Sequence, residues 1–129
     1  DLETQEVAWS YTESKGELPY HSSAAVTNEV VIVGCQDKQL HCLDRKTGER
    51  KWVFMSRGQI NSSPVVVSES RVFVGSNDGH VYEVGLKDGK QRWKMKLGRS
   101  VTASPAVGEG VLVIGAEGTE GEIFCFGRK

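Results

Sequence analysis

Residues 61–93 read NSSPVVVSESRVFVGSNDGHVYEVGLKDGKQRW: three short apolar runs separated by Ser-Glu-Ser, Asn-Asp-Gly and Lys-Asp-Gly and closed by a tryptophan. β-Branched and aromatic runs of strand length, punctuated by turn-forming residues, are the pattern of strands joined by tight turns. The links are too short for a crossover helix, so neighbouring strands must be antiparallel. The unit therefore holds four strands, called A to D here, at about 63–67, 71–76, 80–85 and 91–96. Strand D has two faces: Gln91, Trp93, Met95 and Leu97 on one, Lys90, Arg92, Lys94 and Lys96 on the other.

The unit recurs. Ser22-Ser23-Ala24-Ala25-Val26 aligns with Ser62-Ser63-Pro64-Val65-Val66 and with Ala103-Ser104-Pro105-Ala106-Val107. Runs ending at Gly34, Gly75 and Gly115 follow, then Leu40-His41-Cys42-Leu43, Val81-Tyr82-Glu83-Val84 and Ile123-Phe124-Cys125-Phe126. Trp9, Trp52 and Trp93 mark the period, spaced by 43 and 41 residues. A four-stranded meander cannot bury both of its faces alone, and copies stacked radially at this period make a β-propeller. The expected organisation is an all-β propeller fragment of about twelve strands: an isolated strand D at 7–12, a blade at 21–55, a blade at 61–97, and strands A to C of a third at 102–127. Trp9, Trp52 and Trp93 are its blade-packing residues. Rings close with about four to eight blades, so the three expected here form an arc of a six- to eight-bladed ring, or half of one that a second copy completes. The best helix candidate, Glu13 to Leu18, is interrupted by Gly16.

Composition narrows the function. A chain of 129 residues with 26% charged and 38% hydrophobic residues has room for one ordinary core. A formal net charge of -1 supplies no field favouring nucleic acid. Apolar runs such as Val30–Val33 and Val111–Ile114 fall far short of the roughly 20 residues of a spanning helix. The acidic Asp1-Leu2-Glu3-Thr4 does not read as a signal peptide, as a processed or truncated chain also would not.

Ser-Ser-Pro, a strand ending in Gly-Ser-x-Asp-Gly, an x-Tyr-x-x strand and x-x-Thr-Gly-x-x-x-Trp, in that order, resemble the PQQ-like (quinoprotein-type) propeller repeat. The tryptophans are followed by Ser10, Val53 and Lys94, never Asp, so the repeat is not of the WD type. The resemblance implies a ring closed by the N-terminal strand completing the last blade. It implies relatives such as an outer-membrane assembly lipoprotein, and a periplasmic or exported setting on that ground alone. It also implies kinship with quinone-dependent dehydrogenases, which share a vicinal Cys-Cys pair and calcium ligands. This chain has no adjacent cysteines and no recognisable acidic cluster, so no cofactor residue is assigned.

Individual residues point away from catalysis. Cys35, Cys42 and Cys125 are odd in number, which rules out a complete disulfide framework, and are expected to be buried, inert thiols. With Asp37-Lys38 as a two-residue turn, Cys35 would lie opposite Leu40 and Cys42 opposite Val33, leaving the thiols diagonal. No Cys-x-x-Cys pair is present and no metal site is expected. His41 takes the aromatic packing slot of Tyr82 and Phe124, while His21 precedes a strand A where it could face the channel. Asp37, Asp78 and Glu117 recur in the turn between strands B and C without a partner carboxylate for acid–base work. Gly118 and Gly121 make a loop bulge, since no helix follows to complete a phosphate cradle. The basic stripe of strand D is read as protection of an outer edge.

What remains is a non-catalytic scaffold that binds a protein partner through loops. The D–A and B–C connections share one face of a propeller; here they supply Arg57, Gln59, Asn61 and Arg99, and Gln36, Lys38, Asn77, Glu117 and Glu120. The alternatives are part of a quinone-dependent dehydrogenase and an extracytoplasmic sensor domain.

Overall fold

The computed structural model describes residues 1–13 and 18–128, so most of the Glu13–Leu18 helix candidate lies outside the described residues. The described residues form eleven strands and no helix: β1 (Ala25–Val26), β2 (Val30–Gly34), β3 (Gln39–Asp44), β4 (Arg50–Met55), β5 (Val65–Val67), β6 (Arg71–Gly75), β7 (His80–Gly85), β8 (Gln91–Lys96), β9 (Ala106–Gly108), β10 (Val111–Ala116) and β11 (Glu122–Phe126). They pair as three antiparallel meanders, β1-β2-β3-β4, β5-β6-β7-β8 and β9-β10-β11, which are the blades read from the repeat.

Alternation along each strand sends side chains to two neighbours, which is why these strands are apolar on both faces. Val72, Val74, Tyr82 and Val84 of the middle blade meet Ile32, Leu40, Cys42 and Phe54 of the first. Its other face sends Phe73 and Val81 against Leu112 and Ile114 of the third. The third blade's far face has no neighbour among the described residues: Ile123 is 81% exposed, and Cys125 is exposed where a buried thiol was expected.

The serine pairs lie ahead of strand A, which starts at Ala25, Val65 and Ala106, and not within it. They link blades. The Ser23 amide donates to Ser63 Oγ at 2.8 Å and the Ser63 amide to Ser104 Oγ at 2.9 Å. Ser22 and Ser62 accept from the Gly34 and Gly75 amides at 2.7 and 3.0 Å, satisfying backbone donors at the ends of β2 and β6.

Val7–Tyr11 carries no strand pairing, which leaves eleven strands where about twelve were expected, yet it docks as a strand D does. Trp9 Nε1 donates to the Arg45 carbonyl at 2.9 Å, as Trp52 Nε1 does to Leu86. Each indole lies on a glycine of positive φ in the next C–D turn, Gly48 (φ 74°) under Trp9 and Gly89 (φ 66°) under Trp52. Tyr11 then meets His41 edge-on at 5.8 Å, as Phe54 meets Tyr82 at 5.1 Å. The segment occupies the place of a preceding blade's strand D, but among the described residues it has no strand C to form a ladder with.

β8 is the outermost strand of its blade, and Lys90, Arg92, Lys94 and Lys96 are all exposed. A bulge opposite Glu83 and Val84 pairs Gln91 with Val84 and so puts it on the face of Lys94, which corrects the simple alternation expected for strand D. On the Trp93 face Leu97 is buried, Trp93 half-buried and Met95 exposed, because the neighbouring blade reaches only part of an outer strand. Arg92 pairs with Asp88 at 2.7 Å in the open. Lys94→Glu should therefore shift stability by less than about 1 kcal/mol in urea unfolding. A larger loss would mean that the stripe is engaged.

Candidate functional site

The D–A loops and B–C turns meet on one face and are hydrogen-bonded to one another. The Asn77 amide donates to the Gln59 carbonyl at 2.9 Å, and the Arg99 amide and Glu117 carbonyl join at 3.1 Å. Ile60 and Val101, both fully buried, donate to Cys35 and Ser76 carbonyls at 3.0 Å. Gln36 Nε2 reaches Asn61 Oδ1 at 3.4 Å. The predicted loop residues thus come together: Gln59, Asn61 and Asn77 are half-buried in the framework, and Arg57, Lys38, Arg99, Glu117 and Glu120 are exposed on it. His21 is also exposed.

Asp78 holds one of these loops. Its Oδ2 accepts the Tyr82 hydroxyl at 2.6 Å and the Arg57 amide at 3.0 Å, and its Oδ1 accepts the His80 amide at 3.0 Å. Burial works to raise its pKa, but these hydrogen bonds outweigh it and hold the carboxyl below its ordinary value. A depressed folded value means stability that is present above the unfolded pKa of about 4 and lost as pH falls through the folded one. Asp78→Ala should cost about 2–3 kcal/mol and speed hydrogen exchange at the Arg57 and His80 amides. Unchanged exchange there would remove Asp78 as the loop's anchor.

The first blade repeats this arrangement with different chemistry. Gly34 pairs with Leu40 and Ile32 with Cys42, so the turn has three residues, Gln36-Asp37-Lys38, with Lys38 at φ 72°. This corrects the two-residue turn. Three-residue hairpins end on a left-handed residue, which Gly79 supplies in the middle blade and Lys38 here. A one-residue change of register reverses every side chain. Cys42 therefore faces the second blade, where burial pushes its thiol up to about 11, and Cys35 shares a face with His41.

His41 is fully buried. Its Nε2 lies 2.8 Å from Asp37 Oδ2, and its Nδ1 lies 3.3 Å from the Tyr11 hydroxyl. Tyr11 donates to Glu13 at 2.7 Å, and Arg50 donates to the same carboxylate at 2.9 Å. Burial, then Glu13, pushes Tyr11 up to about 12. The Tyr20 ring meets His41 edge-on at 5.7 Å, and its hydroxyl is buried without a hydrogen-bond partner among the described residues. Burial and then Cys35 raise Tyr20 to about 12. Cys35 Sγ lies 3.6 Å from the Leu18 and Pro19 carbonyls, and burial raises its thiol too. Cys35, Asp37 and His41 bring ligand atoms within 4.8 Å of one another. Sequence reading passed over this cluster. The signal was there in the repeat alignment, where Cys35 and His41 replace Ser76 and Tyr82 around an unchanged aspartate.

The family described as outer membrane protein assembly factor BamB matches residues 1–54 and 41–125. No curated protein matches the chain. Among solved structures, BamB from Moraxella catarrhalis is similar with a TM-score of 0.72 at 20% identity, over 93% of this chain and 36% of that one. A europium-containing methanol dehydrogenase gives 0.78 at 21% identity, over 95% of this chain and 25% of that one. The quinohemoprotein alcohol dehydrogenase of Comamonas testosteroni gives 0.74 at 22% identity, over 84% and 19%. The chain spans little more than a third of the BamB structure and a quarter or less of the dehydrogenases. Likeness at this identity is likeness of fold, which here is shared by an assembly factor and by redox enzymes.

Proposed function

The chain belongs to the outer membrane protein assembly factor BamB family, and we propose that it is a non-catalytic propeller module that binds a protein partner through its D–A and B–C loops. The observation that carries this reading is the hydrogen-bonded loop face, where Arg57, Arg99, Glu117 and Glu120 stand exposed on a rigid frame. Mixed charge held in fixed positions favours a specific protein surface over a polyanion. Photo-crosslinking residues placed at Arg57 and Arg99 should capture the same polypeptide, and one placed at Lys87, in a C–D turn of the opposite face, should not. Equal capture from both faces would defeat the proposal.

The dehydrogenase neighbours give the second reading, part of a quinone-dependent enzyme. Adding pyrroloquinoline quinone and calcium to the protein separates the two: a shifted quinone absorption and dye-linked alcohol oxidation would favour the enzyme. A homodimer belongs to the same scaffold proposal. The uncovered third blade, with Ile123 81% exposed, is the face a second copy would close. Light scattering on the 129-residue chain should then give twice the monomer mass, and a monodisperse monomer would remove the dimer.

A further inference from the structure

We propose that Cys35, Asp37 and His41 form a binding site for a divalent transition-metal ion of the zinc class. Their sulfur, oxygen and nitrogen atoms lie within 4.8 Å of one another, with Cys35 and His41 buried. Tetrahedral coordination with bonds of about 2.1 Å to nitrogen and oxygen and about 2.3 Å to sulfur puts ligand atoms roughly 3.3–3.6 Å apart. The 2.8 Å between Nε2 and Oδ2 need open only by about half an ångström, and the sulfur need close by little more than about one. Asp37 lies in the hairpin turn and Cys35 just before it, so rotation of these two side chains would supply both adjustments with His41 held in β3.

The middle blade supplies the comparison. It keeps the aspartate, Asp78, but has Ser76 and Tyr82 where the first blade has Cys35 and His41. There the aspartate accepts the tyrosine hydroxyl at 2.6 Å, an ordinary structural hydrogen bond. The third blade has Ala116 and Phe124 at those positions. Only the first blade carries both substitutions, and together they turn a structural pair into a thiolate, imidazole and carboxylate set. Thiolate and imidazole select zinc-class ions over calcium or magnesium, which take oxygen ligands.

The surroundings serve a ligating histidine. The Tyr11 hydroxyl donates its hydrogen bond to Glu13, so it faces Nδ1 with a lone pair and accepts from it. Nδ1 then keeps its proton towards Tyr11 when a metal replaces the proton that Nε2 shares with Asp37 at 2.8 Å, which makes Nε2 the ligand atom, with a tyrosine and carboxylate behind the imidazole, as metal-bound histidines commonly have. The Tyr20 hydroxyl, buried without a partner among the described residues, is available to a water in the fourth position. Loading takes up one divalent ion, which displaces the Cys35 thiol proton and the proton held between Nε2 and Asp37 Oδ2.

Cobalt(II) is the probe. Titrated into the reduced full chain, it should bind one equivalent with a sulfur-to-cobalt charge-transfer band and the intense visible bands of a tetrahedral ion, both abolished by one equivalent of zinc. Zinc at a hundred times its Kd should raise Tm by about 10 °C. The double variant Cys35→Ser, His41→Tyr, which installs the middle blade's residues, should lose the band and the shift together. Cys35→Ser alone should lose the charge-transfer band with the metal-free Tm as the check on folding. A wild-type chain that binds no cobalt, or binds it without the sulfur band, overturns the proposal, as does a band that survives in the double variant and so belongs to Cys42 or Cys125.

Discussion

Trp52→Ala should lower the unfolding free energy by about 3–5 kcal/mol, the range for truncating a large core aromatic. The indole joins the first interblade core, donates to the Leu86 carbonyl at 2.9 Å, and lies on Gly89 with ring carbons 2.6 Å from where a Cβ would stand. Its removal opens a cavity at the seam and leaves a carbonyl without its donor. Gly89→Ala should fail by the converse route, through a left-handed φ and a side chain driven into the ring. Trp93 is the informative control. It occupies the same repeat position but meets Phe126 edge-on at 5.5 Å, with no carbonyl acceptor for its indole among the described residues. Trp93→Ala should therefore cost about half as much, measured by urea unfolding at matched m-values. Equal losses would mean that the seam lock contributes nothing beyond apolar burial.

The repeat made the blades legible because period-2 alternation, short turns and a recurring tryptophan all point to one architecture. What the tryptophan does was not legible. Its spacing in sequence gives a packing residue, but its lodging on Gly48 or Gly89 is a contact with the following blade, some 40 residues onward. The loop face could be named residue by residue, since its composition and its place in the meander follow from strand order. The Cys35–His41 neighbourhood could not, because it turns on a single residue of loop length. A two-residue turn puts Cys35 beside Cys42, and the three-residue turn ending in left-handed Lys38 puts it beside His41. In Asn77-Asp78-Gly79 glycine advertises that conformation; in Gln36-Asp37-Lys38 nothing does. The fate of Cys125 had a similar cause, since burial of a strand C side chain depends on whether another blade follows.

Three glycines at one repeat position, Gly34, Gly75 and Gly115, should respond unequally to the same substitution. A Cβ on Gly75 would stand 2.5 Å from Val101 Cγ1 and 2.7 Å from the Val101 carbonyl oxygen. Val101 is fully buried and its amide is bonded to the Ser76 carbonyl at 3.0 Å, so the loop that carries it cannot retreat without losing that bond. Gly75→Ala should cost about 3 kcal/mol, at or beyond the usual range for overpacking, because half of the collision is with backbone. Gly34→Ala should behave likewise against Ile60, whose carbonyl oxygen would lie 2.7 Å away. At Gly115 the nearest atom is Ala103 Cβ at 3.6 Å, ordinary contact, and Gly115→Ala should change stability by no more than about 0.5 kcal/mol. Trimming the side-chain half of the collision with Val101→Ala should restore only part of what Gly75→Ala loses, a non-additivity that a double-mutant cycle measures directly. If Gly75→Ala and Gly115→Ala were equally tolerated, the D–A loop would be free to move away from strand B. The rigid loop face on which the binding proposal stands would go with it.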